Sequence, residues 1–293
     1  MSRLLWTQRA NFGPPERNFH AMVYQTKQQR VLLWGGLGVG DKGRLGDTWE
    51  WDGTSWSQVA DMGPAGSGAM AYDEDRAVVV LLDQSRNTWE WNGGAWTQVG
   101  ADGPAVTPGA MAYESGRKRT VVFEPASSAA AAPGRTSEWD GVAWTQVADT
   151  GPASRSEHAV VRDDVRNQLV LFGGQDNARA TIFRDTWTWN GQAWQQQASF
   201  GPAARAEHAM SFDISRARVV LFGGVDSAGR MGDTWDWDGA RWVQLQDIGP
   251  TERNAHGIAY DAARKRTVLF GGTVQVGAAG RPIADTWELG ELP

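Results

Sequence analysis

The chain of 293 residues carries 28 Lys and Arg against 34 Asp and Glu, a formal charge of −6, with 41% apolar residues, 17 tryptophans and no cysteine. This balance offers no basic field to a phosphate backbone or an anionic membrane, so no nucleic-acid or membrane partner is expected. The missing thiols exclude disulfides, thiolate metal sites and cysteine nucleophiles together, and the apolar fraction supplies material for a sizeable core.

The opening MSRLLWTQRANFGPP holds no apolar run long enough for a signal-peptide core, and no later segment approaches a membrane span. A cytoplasmic monomer is expected. Residues 4–9, LLWTQR, read as the first strand. A Gly-Pro pair then recurs at Gly13, Gly63, Gly103, Gly151, Gly201 and Gly249, with spacings of 50, 40, 48, 50 and 48 residues. Repetition at this period marks a repeat architecture. It divides a single domain, 1–293, into six units: 13–62, 63–102, 103–150, 151–200, 201–248 and 249–293.

The fifth unit spells the grammar most clearly: GPAARAEHAMSFD, SRARVVLFGG, GDTWDWDG, ARWVQL. Its runs are β-branched and aromatic, end at turn residues and lack helical periodicity, so each unit reads as four strands. Asp52-Gly53, Asn92-Gly93, Asp140-Gly141, Asn190-Gly191 and Asp238-Gly239 predict tight two-residue hairpins between third and fourth strands. Tryptophans recur at fixed positions, as in Trp49, Trp51 and Trp56 or Trp235, Trp237 and Trp242, which assigns them to packing between units rather than to sugar stacking. Tyr24, Tyr72, Tyr113 and Tyr260 share one position and the same assignment.

The sixth unit ends DTWELGELP and lacks the final Trp-x-Gln strand, whereas Trp6-Thr7-Gln8 matches Trp96-Thr97-Gln98 and Trp144-Thr145-Gln146. The N-terminal strand is therefore expected to complete the last unit and remove its open edge. The expected fold class is all-β: a six-bladed β-propeller of four-stranded antiparallel blades, closed by the N-terminal strand.

Four Gly-Gly pairs end second strands (Gly35-Gly36, Gly173-Gly174, Gly223-Gly224, Gly271-Gly272), a tryptophan-bearing third strand follows, and a tryptophan opens the fourth. Recurring in tandem over essentially the whole chain, these features resemble the Kelch family, galactose oxidase's propeller domain among them. A WD-repeat propeller is the alternative, but the Trp-Asp dipeptides here belong to the turn and the Gly-Gly pairs have no place in that scheme. Kelch propellers include copper oxidases, sialic acid mutarotases, specifier proteins of glucosinolate breakdown and adaptors that grip acidic peptides, so the resemblance leaves the activity open. The radical copper site is not expected, because the cysteine that crosslinks to its tyrosine is missing.

All four histidines fall inside Arg-x-x-His: Arg17 to His20, Arg155 to His158, Arg205 to His208 and Arg253 to His256. The resemblance places this segment at the innermost strand, beside a central channel. A ring of Arg and His there suits an anion; metal is disfavoured, since histidines spread over four units do not readily close the short tetrahedron zinc requires. The units with this motif also carry Gly-Gly and an Asp before Thr-Trp: Asp47, Asp185, Asp233 and Asp285. Joint presence suggests that Arg pairs with Asp, whose carboxylate fits the guanidinium fork, so structural and ligand-facing roles both stand open.

Between Arg and His lie variable residues: Asn18-Phe19, Ser156-Glu157, Ala206-Glu207 and Asn254-Ala255. Variation on a fixed scaffold marks a binding surface. Glu157 and Glu207 are the candidate general acid or base: neighbouring units could hold them close enough to share a proton and raise one pKa, with solvated carboxylates at the channel mouth as the alternative. Units 2 and 3 depart from the pattern, with Asp83-Gln84 and Glu124-Pro125 in place of Gly-Gly, the short loop DQSRN, Asn87 and Arg135 at the Asp position, and the low-complexity loop PASSAAAAPG. They predict a notch lined by Asp83, Arg86, Glu124 and Arg135.

The leading expectation is a propeller that binds a polar, partly anionic small molecule or an acidic peptide at the channel mouth, with no cofactor and no metal. The binding set is Arg17, Asn18, Phe19, His20, Asp83, Arg86, Glu124, Arg135, Arg155, His158, Arg205, His208, Arg253, Asn254 and His256. A cofactor-free isomerase, cyclase or lyase using Glu157 or Glu207 is the competing class, and a protein-binding scaffold the third.

Overall fold

Short runs of β-branched, aliphatic and aromatic residues between Gly, Asn and Asp turns become strands, because such side chains pack well on a pleated surface. The computed structural model describes residues 4–10, 12–107, 109–125, 132–198, 200–246 and 248–291. Among them are eight antiparallel sheets, six of them four-stranded. In the fifth unit the order is Ala209–Asp213, Arg218–Phe222, Thr234–Trp237 and Trp242–Gln246, each strand pairing with the next. The other units repeat it from first strands Ala21–Gln25, Gly68–Asp73, Met111–Glu114, Ala159–Asp163 and Gly257–Asp261. Two small sheets, built on Arg17–Asn18 and Arg253–Asn254, join these segments to the loops between second and third strands.

The sixth unit supplies three strands, and its fourth place is taken by Leu4–Ala10, paired antiparallel with Thr286–Glu291 in the register Leu4↔Glu291 to Gln8↔Trp287. The tryptophan of this strand shows why the pairing holds. In every unit the fourth-strand indole donates its N–H across a seam to the buried Thr at the start of the preceding unit's third strand, the first residue or, for Thr136, the second: Trp56 to Thr286, Trp96 to Thr48, Trp144 to Thr88, Trp194 to Thr136, Trp242 to Thr186 and Trp6 to Thr234, all at 2.8–2.9 Å. The Gly-Pro repeat has its cause in the same residue. A Cβ on Gly13 would stand 2.6 Å from the Trp56 ring, and one on Gly249 2.6 Å from the Trp6 ring. Trp6 thus performs for the sixth unit what a local tryptophan performs for the rest.

Inside each sheet the second strand is the dry layer; Val31, Leu32, Leu33 and Trp34 are wholly buried, as are their counterparts Val219, Val220, Leu221 and Phe222. Buried Trp51, Trp91, Trp139, Trp189 and Trp237 of the third strands tilt against the fourth-strand indoles, with ring centroids 5.4–5.6 Å apart. First strands of successive units touch one another, and Gly257–Asp261 touches Ala21–Gln25. Tyrosine hydroxyls latch the far end: Tyr72 donates to Gln28 and Tyr113 to Asp75 of the preceding unit, and Tyr24 accepts from the Ala263 N–H. This is the packing of a β-propeller.

The turn between third and fourth strands corrects the sequence expectation. It spans four residues, not two, since Trp51 pairs with Trp56 around Asp52 to Ser55. Asp52 keeps negative φ and instead accepts the N–H groups of Thr54 and Ser55, while Gly53 takes φ +100°. The Asx turn, in which the carboxylate imitates a backbone acceptor, has replaced the primed hairpin. Residues 126–131 of the loop PASSAAAAPG lie outside the described residues.

Trp6→Ala should lower the free energy of unfolding in urea by about 3–5 kcal/mol, the cost of emptying a tryptophan site. Trp242→Ala should lose as much, and removal of residues 1–12 more. A loss for Trp6→Ala well below that of Trp242→Ala contradicts the equivalence of the two.

Candidate site at the channel mouth

The Arg-x-x-His segment is held by a clamp made wholly within its unit. Each arginine is at most 1% exposed and grips its aspartate through both carboxylate oxygens: Arg17 with Asp47 at 2.8 and 2.7 Å, Arg155 with Asp185 at 2.6 and 3.0 Å, Arg205 with Asp233 at 2.7 and 2.8 Å, Arg253 with Asp285 at 2.6 and 2.9 Å. The same guanidinium donates to the carbonyl of the first glycine of Gly-Gly and, through Nε, to a carbonyl two residues back. Burial pushes Asp47, Asp185 and Asp233 up, but the arginine and the N–H of Trp49, Trp187 or Trp235 outweigh it and hold them below the usual carboxylate range. These arginines therefore lie behind the mouth, with their charge spent on Asp. The anionic ligand expected from them has lost its cations.

The Gly-Gly pair makes room for the histidines. A Cβ on Gly173 would come within 2.6 Å of the Arg205 carbonyl oxygen and 2.9 Å of His208 Cε1, and one on Gly174 within 2.8 Å of His158 Cβ. His20, His158, His208 and His256 are 3, 1, 6 and 6% exposed and stand edge-on against Phe270, Phe123, Phe172 and Phe222 of the preceding unit, at 5.3–5.6 Å. Burial, aided by the nearby arginine, pushes His20 and His158 down to about 3 and His208 and His256 well below 6.5, so all four are neutral at pH 7. Among the described residues no group of three or more His, Cys, Asp or Glu converges as a metal site.

The residue before each histidine forms a belt across the seams. Phe19, Glu157, Glu207 and Ala255 hold φ of 53–56°, a left-handed conformation costing about 1–2 kcal/mol for a residue with a side chain. The Glu207 N–H donates to the Glu157 carbonyl, Ala255 to Glu207 and Phe19 to Ala255, each at 2.9 Å. The belt brings the two expected carboxylates together. Burial and then the charge of Glu157 push Glu207 up to about 6; Asn254 holds its far oxygen, while Gln175 donates to Glu157 and Arg179 stands 3.7 Å from it. Beneath lies a cavity of about 110 Å³ reached by Phe19, His20, Glu157, Glu207, His208 and His256.

The model of the KLHDC2/KLHL20/DRC7 Kelch-repeats domain matches residues 134–290, over half of the chain. The chain belongs to the Kelch-repeat family. No curated protein matches it. Kelch domains mediate binding to partners, and this Kelch propeller carries its variable side chains on the belt.

Units 2 and 3 replace the Kelch clamp with a carboxylate at the end of the second strand. Asp83 accepts from Trp89 Nε1, from the Asn87 N–H and from its amide, as Asp47 accepts from Trp49. Glu124 accepts from Ser137 and from the Ala105 N–H. Both are at most 8% exposed, so they support loops and do not line an entrance. Arg86 ties its loop to Gly103, whose N–H donates to the Arg86 carbonyl, and Arg135 lies opposite Glu124 in the ladder. None of the four is among the described residues that line the channel cavity. Asn18 and His158 also stand back from it, Asn18 donating to Thr273.

One repeat position escaped the sequence reading. Met22, Met70, Met111, Val160, Met210 and Ile258, one from each unit, border both the upper cavity and a second of about 240 Å³ on the far side. They form an apolar collar that floors the mouth. The signal was present as the recurring Ala-Met, Ala-Val and Gly-Ile after the histidine position.

Acid should unfold this protein early. An unfolded histidine takes its proton near pH 6.5, the folded ones only far below, so the unfolded chain binds more protons in between. Stability is then complete above pH 6.5 and falls as pH drops; four such groups lose about 5 kcal/mol per pH unit, from which Glu207, raised instead of lowered, takes back at most one proton's share. Urea unfolding at pH 7, 6 and 5 should therefore show a steep decline, and a flat profile contradicts the burial of neutral imidazoles.

Proposed function

We propose that the chain is a six-bladed propeller, closed by Leu4–Ala10, that works as a binding module with its polar anchor at the channel mouth. The closure is supported by the unbroken circuit of touching first strands and by Trp6 filling the sixth seam. The binding role is carried by one observation: at the belt position the backbone is held within a few degrees while the side chain changes from Phe19 to Glu157, Glu207 and Ala255 over a cavity. Residues fixed by packing do not vary so freely on so strained a backbone.

The antiparallel order sets the loops between second and third strands and the linkers before Gly-Pro at this same end. Four linkers in successive units carry large, exposed apolar residues: Phe200, Ile248, Phe12 and Met62, 73–90% accessible. They support a protein as the partner, its apolar contacts on this arc and a polar group in the mouth. A catalytic reading is favoured by a single feature, the Glu207 carboxyl raised to about 6 beside Glu157, which suits proton transfer near neutrality.

A panel of amines, carboxylates, sugars and phosphates, read by calorimetry on the full chain, tests the binding role. Ligands of the mouth should lose about tenfold or more in affinity with Phe19→Ala or Glu157→Gln and keep it with Arg86→Ala. Binding indifferent to the belt overturns the reading, and a ligand consumed in a Glu207-dependent manner moves it to the catalytic class.

A further inference from the structure

The carboxylate and thioether side chains that reach the upper cavity have a one-sided chemistry. Glu157 and Glu207 offer carboxylate oxygens, which only accept when ionised, and Met22, Met70, Met111 and Met210 offer thioethers, which are weak acceptors. Among the described residues no Lys or Arg lines this space. The arginines two residues before the belt, Arg17, Arg155, Arg205 and Arg253, are turned into their Asp clamps. Arg179, outside the clamps, is 75% exposed and 3.7 Å from Glu157. An anion entering this cavity meets two carboxylates, and among the described residues no cation lines it.

A second, independent feature points to a donor-bearing ligand. His20, His208 and His256 line the same cavity and are all more than nine-tenths buried; each turns one ring nitrogen toward the backbone of Phe270, Phe172 or Phe222, and the other nitrogen has no partner among the described residues. A neutral imidazole keeps one bare lone pair, and a buried acceptor left without a donor costs about 1–3 kcal/mol. These rings are held by Phe contacts and Gly-Gly clearance, so they cannot turn away to find one. The cavity, about 110 Å³ and floored by the Met, Val and Ile collar, is far below the size of a site for a drug-sized molecule.

We propose that the channel mouth is a receptor for a primary alkylammonium group, held by Glu157 and Glu207 with the imidazoles of His20, His208 and His256 beneath it. Three N–H donors on one compact cation match convergent acceptors, and a short methylene chain is compatible with the apolar walls. The inference deepens the binding role proposed above and rests on it. The same chemistry is presented by a lysine side chain of a partner protein and by a free amine.

Calorimetry on the full chain tests it with butylammonium, 1,4-diaminobutane, and one lysine-containing peptide in free and Nζ-acetylated forms. Acetate, succinate and inorganic phosphate serve as anionic probes. The amines should bind and the anions should not; Glu207→Gln and Glu157→Gln should each weaken amine binding about tenfold or more. Acetylation should abolish peptide binding, an arm that leaves the protein unaltered. The charged and titratable groups around Glu207 are Glu157 and Arg179 of the preceding unit, His208 beside it and His256 of the next. Because the cation needs Glu207 ionised, affinity should rise as pH goes from 5 to 7. A peptide bound more tightly than butylammonium identifies a partner lysine as the source, and the reverse order a free amine. Anion or sugar binding that depends on Phe19 and Glu157, without amine binding, overturns this inference and leaves the binding role standing. Failure of every probe to depend on the mouth overturns both.

Discussion

The structure depends on an indole driven into each seam. The fourth-strand tryptophan lies on the Gly-Pro glycine of its own unit and donates to a buried threonine of the preceding one, so one side chain fixes both the shape of a sheet and its distance from the next. A wedge of this kind cannot be satisfied in an isolated sheet, because its hydrogen-bond partner belongs to a neighbour. Stability is therefore held in common by all units, as expected when repeats bury their faces only against one another. The sixth seam obeys the same rule with a residue from the other end of the chain, Trp6.

On that frame the inner end of each unit is secured by a second device, and its economy matters for function. Arg, Asp, Gly-Gly and His occur together because each is the packing condition for another: the guanidinium needs the carboxylate, its carbonyl partner is the glycine, and the glycine's missing Cβ leaves space for the next unit's imidazole. Units 2 and 3 lose the set as a whole and install Asp83 and Glu124 in its place. With the backbone thus fixed from behind, the belt position accommodates Phe19, Glu157, Glu207 or Ala255 at nearly the same φ. In units 4 and 5 it carries two carboxylates close enough for one to feel the other's charge.

Much of this was legible in the sequence because it was repeated. The Gly-Pro period, the Trp-Thr-Gln match between residues 6–8 and the fourth strands, and the joint loss of Arg, Asp and Gly-Gly all express contacts made several times over. What was not legible depends on direction or on a contact made once. Co-occurrence pairs Arg205 with Asp233 but does not say that the pair faces away from the channel. Asp83 and Glu124 read as departures because a carboxylate moved from the start of one strand to the end of another changes its position in sequence while keeping its place in space. The Asp-Gly turns misled through an ambiguity of the dipeptide, which serves an Asx turn as readily as a primed hairpin. The Met collar was hidden by its blandness: Met22 and Met210 look like any core residue until the first strands are set side by side along the two cavities.

The central claim, that the two ends of the chain meet in one sheet and complete the ring, is open to a direct chemical measurement because the chain has no cysteine of its own. Leu4 and Glu291 are opposite one another in the ladder, at a separation a disulfide can span. The double variant Leu4→Cys, Glu291→Cys, oxidised in dilute solution and analysed by mass spectrometry after proteolysis, should give one intramolecular disulfide joining the terminal peptides, and a raised melting temperature that reverts on reduction. Thiols that remain free, or that pair only between molecules, contradict the closure.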